Sequence, residues 1–182
     1  MINEKEHPEI YIARPVAILM RRQAFWAWGG FSLFVLAWVS LLVLAPVFLS
    51  AGYESVSGPI YKFCSYICHQ LPERSLHLAG HQFGVCSRCF GVYFGLFLGF
   101  AMYPLWRKVD DIEPLPRIWL FLAMAPIGID WALTIFGIWE NTHLSRVITG
   151  LILGFACATY IIPALVEIFR YMFINRRSKT AL

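Results

Sequence analysis

Long apolar runs alternate with short polar segments along this chain. A membrane-spanning helix needs about 20 consecutive apolar residues, and four runs approach or exceed that length. They cover residues 24–50, 88–106, 118–138 and 146–169. The pattern predicts an all-α integral membrane bundle of four transmembrane helices. We expect residues 1–182 to form a single membrane domain in which 51–87 is the longest non-apolar segment.

Small residues recur at intervals of four in two of these runs. They are Gly91, Gly95 and Gly99 in the second run, and Gly150, Gly154 and Ala158 in the fourth. This spacing places each set on one helix face, where a missing side chain lets another helix approach closely. We therefore expect the second and fourth helices to pack against each other.

Composition and charge agree with a multi-pass protein of the cell membrane. Hydrophobic residues make up 59% of the chain and charged residues 14%, whereas a soluble domain carries about 25% charged residues. The basic residues flank the apolar runs instead of forming one stripe, so the net charge of +4 does not indicate nucleic-acid binding. The expected partners are the lipid bilayer and, as an open alternative, other membrane subunits.

The distribution of basic residues predicts the orientation. With the N-terminus inside, eleven of the 15 Lys and Arg residues fall in cytoplasmic segments and four in external ones. Because cytoplasmic segments are enriched in Lys and Arg, we expect both termini in the cytoplasm. The loop 51–87 is then extracytoplasmic.

Cysteine and histidine are concentrated at that external face. Four cysteines and three histidines lie between residues 64 and 89. Zinc takes four nitrogen or sulfur ligands in structural sites. Cys68, Cys86 and Cys89 are the predicted thiolate ligands of a zinc ion, and the fourth ligand is a histidine. The histidine candidates are His69, adjacent to Cys68, and His81 or His77, while Cys64 is a competing thiol.

The same thiols allow two other interpretations. Cys86 with Cys89, and Cys64 with Cys68, can be redox pairs, because thiols outside the cytoplasm tend to oxidise. The protein would then be a thiol-disulfide oxidoreductase, and quinone would be its electron acceptor. A plain structural disulfide is the other alternative.

One acidic residue interrupts the third apolar run. Asp130 is costly in lipid unless it faces the bundle interior and finds a partner. Arg88 and Arg146 begin the second and fourth runs at the same level and are the expected partners. We predict that these three side chains form a polar ligand-binding pocket below the Cys/His loop. The alternative is a buried ion pair that only holds helices together.

Several motifs in this region occur together. They read Cys68-His69-Gln70, Pro72-Glu73-Arg74-Ser75, Cys86-x-Arg88-Cys89-x-Gly91-x-Tyr93-x-Gly95, and Asp130 with Thr149-Gly150-x-x-x-Gly154. In this combination the chain resembles a prokaryotic family of predicted membrane proteins of unknown function. The resemblance implies that the family pattern includes Cys68, His69, Arg74, Cys86, Arg88, Cys89, Asp130 and Arg146. It leaves Cys64 outside the pattern and brings no established activity.

These observations favour a binding protein or an accessory subunit of a membrane complex, with a zinc site and an outward polar pocket. Whether the protein is an enzyme stays open. Besides the oxidoreductase, the enzyme classes considered include a metal-dependent hydrolase at the membrane interface, with Asp130 or Glu73 as base. That activity requires an open position on the metal.

Overall fold

Four long helices dominate the protein. The computed structural model describes the backbone of residues 14–180 and the side chains of residues 18–172. The predicted orientation also depends on terminal residues that lie outside this described part. The long helices are α1 (Arg14–Ser50), α3 (Ser87–Met102), α4 (Ile118–Ile135) and α5 (His143–Thr180). Each contains a segment long and apolar enough to cross a membrane. The predicted helical membrane bundle is therefore confirmed, and the protein is a multi-pass membrane protein.

The helix boundaries differ from the predicted spans mainly at the polar ends. α1 begins at Arg14, before its apolar run, and α5 begins at His143 and continues to Thr180. α4 ends at Ile135, and the chain then turns at Gly137, whose φ is +65°. Hydropathy alone placed these ends differently because it does not register polar turns that extend a helix beyond the apolar core.

Two hydrogen bonds between distant segments show which parts of the chain meet at one end of the bundle. The Trp28 indole donates to the carbonyl oxygen of Phe100 at 2.9 Å. Arg170 donates to the carbonyl oxygen of Asp110 at 2.8 Å. The start of α1 and the end of α5 therefore lie beside the connection between α3 and α4. The other end, which we call the cysteine end, joins the end of α1, the start of α3, the end of α4 and the start of α5.

Helices α3 and α5 are in backbone contact along their glycine faces. A Cβ atom added at Gly150 would lie 2.5 Å from the carbonyl oxygen of Arg88. A Cβ at Gly91, Gly95 or Gly154 would meet backbone of the opposite helix at even shorter range. No side chain fits at these positions. The predicted packing of the second membrane helix against the fourth is therefore confirmed.

The polar segment between α1 and α3 is folded onto the cysteine end. It contains helix α2 (Glu54–Ser65), a short 3₁₀ turn (Pro72–Arg74) and the strands β1 (Ser75–Leu78) and β2 (His81–Cys86). The strands form an antiparallel hairpin. Its two-residue turn is Ala79-Gly80, with φ values of +51° and +82°, and such positive values are typical of tight hairpin turns.

We call the folded segment from α2 to β2 the cap. An apolar cluster attaches the cap to the bundle. Its fully buried members include Leu42 and Ala45 of α1, Cys64 of α2 and Val85 of β2. Ser57, Ile60 and Cys64 are the buried residues of α2, and their spacing is that of one helix face. The cap thereby fixes the thiols of the loop over the start of α3.

Candidate metal centre and polar cavity

Three cysteines from three different elements converge at the cysteine end. The sulfur atoms of Cys68, Cys86 and Cys89 all lie within 4.8 Å of one another. In a tetrahedral zinc site with Zn–S bonds of about 2.3 Å, two sulfurs stand about 3.8 Å apart. Small side-chain adjustments would therefore bring these three thiols onto one ion, and the cluster can hold a metal.

Each sulfur is positioned by the local fold. Cys68 follows the last turn of α2, and its amide donates to the carbonyl oxygen of Cys64 at 3.0 Å. Cys86 is the last residue of β2 and directly precedes α3. Cys89 lies in the first turn of α3. The two-residue gap between Cys86 and Cys89 thus spans a strand-to-helix junction, which turns both side chains towards Cys68.

Gln70 fixes the chain immediately after Cys68. Its backbone φ is +48°, a conformation that is uncommon for a residue with a side chain. Its amide group donates to the carbonyl oxygens of Tyr61 and Gly84 at 2.9 and 2.7 Å. Gln70 therefore links α2 to β2, and this link determines where Cys68 lies relative to Cys86.

The surroundings favour a thiolate in the cluster. The amide of Cys86 donates to the sulfur of Cys68 at 3.1 Å. A hydrogen bond from the Cys89 side chain lowers the pKa of Cys86 to about 5, against the opposing effect of burial. The Cys89 thiol donates that hydrogen bond, so the Cys86–Cys89 pair holds one thiolate, the form in which cysteine ligates metals. Sulfur donors suit a soft or borderline cation.

The structure does not bring the histidines into this group. Among the described residues, the donor set contains the three cysteines and no histidine. His69 is exposed, but it lines a cavity of about 290 Å³ together with all three cysteines. His81 pairs with Leu78 at the tip of the hairpin. It is five residues from Cys86, which is about 17 Å along an extended strand.

The two remaining cysteines are not part of the donor set, although Cys64 packs in the same apolar cluster as the three sulfurs. Cys64 is fully buried in the apolar cluster, and a Cβ added at Gly84 would lie 3.2 Å from its sulfur. Cys157 lies in α5, well beyond the first turns that form the cysteine end. All five cysteines of the chain fall within the described residues, and each has a free thiol.

A chain of polar contacts crosses the bundle next to the thiols. Arg88 donates to the carboxylate of Asp130 at 2.5 Å. Asn141 donates to the same carboxylate oxygen at 3.1 Å and accepts a hydrogen bond from Arg146 at 2.7 Å. Asp130 is 8% exposed. Arg88 is thus the direct partner of Asp130, and Arg146 is connected to it through Asn141.

These polar groups border a second cavity, of about 230 Å³. Its lining is Arg74, Cys86, Arg88, Cys89, Trp131, Thr134, Ile135, Asn141 and Arg146. Arg74, Cys86 and Cys89 line both cavities. The candidate metal centre and the polar pocket are therefore neighbours that share a wall.

Comparison with known proteins identifies the group to which the chain is related. Residues 68–160 match the family model described as "Predicted membrane protein (DUF2085)". The chain belongs to this family. The matched segment starts at Cys68 and includes Cys86, Arg88, Cys89 and Asp130, whereas Cys64 precedes it.

Two archaeal proteins are similar over much of their length. The uncharacterized protein MJ1492 of Methanocaldococcus jannaschii is 38% identical over 140 residues, which cover 74% of this chain and 88% of that protein. An uncharacterized protein of Methanothermobacter thermautotrophicus is 38% identical over 93 residues, covering 51% and 82%. No solved structure matches this member of the DUF2085 family.

Sequence reasoning missed two parts of the site. Arg74 was predicted only as part of the family pattern, yet it lines both cavities. Ser87 and His143 are hydrogen bonded at 2.8 Å between oxygen and Nδ1, and no local pattern signals this contact because the residues start two different helices. Asn141 was visible only as part of a polar run at the level of Asp130.

Proposed function

We propose that this protein is a zinc-binding protein of the membrane that holds one ion on Cys68, Cys86 and Cys89. The observation that carries the proposal is the mutual distance of the three sulfurs, all within 4.8 Å. Three thiolates prefer soft or borderline cations, and zinc is the common ion of that class in sulfur-rich sites. The proposed role is that of a binding protein or an accessory subunit of a membrane complex.

The fourth position of the ion would face the cavity that His69 lines. His69 follows Cys68 directly and lines the same cavity as the three cysteines, so it is the histidine best placed to supply a further ligand. His81 would need the hairpin to fold back on itself. We therefore propose that the fourth ligand is His69 or an exogenous group from the cavity, and that His81 does not bind the ion.

The alternatives have less support. A dithiol oxidoreductase needs only two sulfurs, whereas a metal site uses all three that the structure brings together. For a hydrolase, Asp130 is a poor candidate base because its carboxylate is already engaged by Arg88 and Asn141. Glu73 is exposed in the 3₁₀ turn and does not line either cavity.

The distribution of charge supports the proposed orientation. Six basic residues lie at the end opposite the thiols, against four at the cysteine end. The six are Arg21, Arg22, Arg107, Lys108, Arg117 and Arg170, and the four are Lys62, Arg74, Arg88 and Arg146. The excess of basic residues at that end favours a cytoplasmic location for it, which places the metal centre outside. Labelling of intact cells with a membrane-impermeant reagent at a cysteine introduced at Lys62, in a variant without other cysteines, tests this. Labelling only after permeabilisation would contradict the orientation.

Metal analysis of single variants tests the metal site. The purified wild-type protein should contain about one zinc per chain, and Cys68→Ser, Cys86→Ser or Cys89→Ser should lose most of it. Cys157→Ala, which changes a thiol in α5 away from the cluster, is the matched control and should keep the metal. Metal-free wild-type protein, or Cys86–Cys89 disulfide in protein purified under argon, would reject the proposal in favour of redox chemistry.

Two histidine variants identify the fourth ligand. His81→Ala should leave zinc content and affinity unchanged. A loss of affinity of about tenfold or more in His69→Ala would assign His69 as a protein ligand, on the scale of one lost donor. Unchanged affinity in His69→Ala would leave the fourth position to a group from the cavity.

A further inference from the structure

Three guanidinium groups border the cavity of about 230 Å³ beside the thiols. Arg74 comes from the 3₁₀ turn, Arg88 from the first turn of α3 and Arg146 from the first turn of α5. They belong to three separate elements that meet only in the folded protein.

The described residues provide too little negative charge to balance them. The carboxylate of Asp130 pairs with Arg88, and Arg146 bonds only to the neutral side chain of Asn141. Among the described side chains, no carboxylate forms an ion pair with Arg74 or Arg146. A divalent ion on three thiolates would add one net negative charge, so the site would still be positive by one.

Two further features make the cavity suited to an anion. The Nε atom of Arg88 is buried and has no hydrogen-bond partner among the described residues. The first turns of α3 and α5 both border the cavity, and the amino ends of helices carry positive partial charge. A buried, unsatisfied donor of this kind is costly unless a ligand or solvent completes it.

We propose that this cavity binds the phosphate-type oxyanion of an anionic ligand, held by Arg74 and Arg146 and oriented by Arg88. Arginine presents planar pairs of donors that match phosphate oxygens. The exposed side chains of Trp131 and Ile135 from α4 form an apolar wall on the same cavity. The oxyanion therefore comes either from the headgroup of an anionic lipid, whose chains lie along α4, or from free phosphate.

The anion site is distinct from the zinc proposal. Its charged groups are arginines and not thiols, although Cys86 and Cys89 line the cavity as well. A variant in which Cys68, Cys86 and Cys89 are all serine tests the anion site without metal. If that variant loses zinc and still binds the anion, the two sites are independent.

Titration of the purified protein in maltoside micelles tests the proposal. Inorganic phosphate is added during calorimetry, and phosphatidic acid is added in a parallel titration read by native mass spectrometry. Arg74→Gln is the principal variant, because Arg74 is exposed and its loss should not impair folding. Arg146→Gln is the second variant, and Lys62→Gln, an exposed cation of α2 that lines neither cavity, is the control.

We expect Arg74→Gln and Arg146→Gln to weaken binding by about tenfold or more each, as for the loss of a charge-assisted hydrogen bond. Lys62→Gln should bind as the wild type does. Saturation by phosphate that also displaces the lipid indicates a free phosphate ligand, whereas binding of the lipid alone indicates a headgroup. Absence of saturable binding of both probes, or equal binding in wild type and Arg74→Gln, would overturn the proposal.

Discussion

Helices α3 and α4 both contribute to the polar network at the cysteine end, but they are held in the bundle in opposite ways. α3 touches α5 backbone to backbone along its glycine face. α4 buries only Ala123 and Asp130, whereas α3 buries five residues: Ser87, Gly91, Gly95, Gly99 and Phe100. One helix is fixed by close packing, and the other by a few polar contacts.

This difference separates the two halves of the candidate site. Arg88 and Cys89 lie on α3, which packs against α5. Cys68 and Cys86 belong to the cap, which is folded onto the cysteine end. Asp130 and the apolar wall of the cavity sit on α4. The structure thus places the candidate metal ligands on well-packed elements and the apolar wall of the cavity on a weakly packed helix, and weakly packed elements are the ones that move.

The largest effect should come from breaking the α3–α5 contact. In Gly95→Val, the new side chain would overlap the backbone at Leu151, so the helices must separate. We expect a loss of about 3 kcal/mol or more in the free energy of unfolding, read as a drop in thermal unfolding temperature. Gly128→Val on α4 is the matched control, because nothing lies within 4 Å of an added Cβ there. Equal stability of both variants would contradict the close packing.

Breaking the polar attachment of α4 should have a smaller effect. Asp130→Asn keeps the shape of the side chain but leaves the Arg88 charge without its partner. We expect the free energy of unfolding to fall by about 1–3 kcal/mol. The loss is smaller than for a fully buried pair because the Arg88 side chain is 25% exposed. Thermal unfolding measures the cost. A variant as stable as the wild type would show that the ion pair does not hold α4.

The smallest effect should come from the ion pair at the opposite end. Arg107 donates to Asp111 at 2.9 Å, and the Asp111 side chain is 36% exposed, so Asp111→Asn should cost about 1 kcal/mol or less. The Arg107 guanidinium holds the pKa of Asp111 below its usual value. The contribution is therefore present at neutral pH and disappears as the pH falls through that lowered pKa.

Thermal unfolding of Asp111→Asn and the wild type at several pH values checks this. The two proteins should converge in acid. A difference that grows on acidification would contradict the assigned sign.

Much of this architecture was readable from the sequence, for specific reasons. Apolar runs identify membrane spans because lipid imposes a minimum length. The spacing of Gly91, Gly95 and Gly99 predicted the packing partner because only small residues permit that approach. The cysteine set was predictable because Cys86 and Cys89 are close in sequence.

The position of the histidines relative to the thiols could not be predicted from the sequence in the same way. Whether His81 reaches the thiols depends on a hairpin that begins at Ser75 and extends away from them. The alternation of apolar and other residues in that segment is short, covering only Ser75–Leu78 and residues 82–85, which is the lower limit for predicting a strand. The left-handed backbone at Gln70, which positions Cys68, also depends on contacts with Tyr61 and Gly84 that form only in the folded protein.

X-ray absorption at the zinc edge of the purified wild-type protein tests the central claim most directly, since it reports the atoms around the ion. We expect three sulfur neighbours at about 2.3 Å and one nitrogen or oxygen neighbour at about 2.0 Å. Two or fewer sulfurs, or no ion in protein prepared without oxidant and with zinc supplied, would contradict a centre built by Cys68, Cys86 and Cys89.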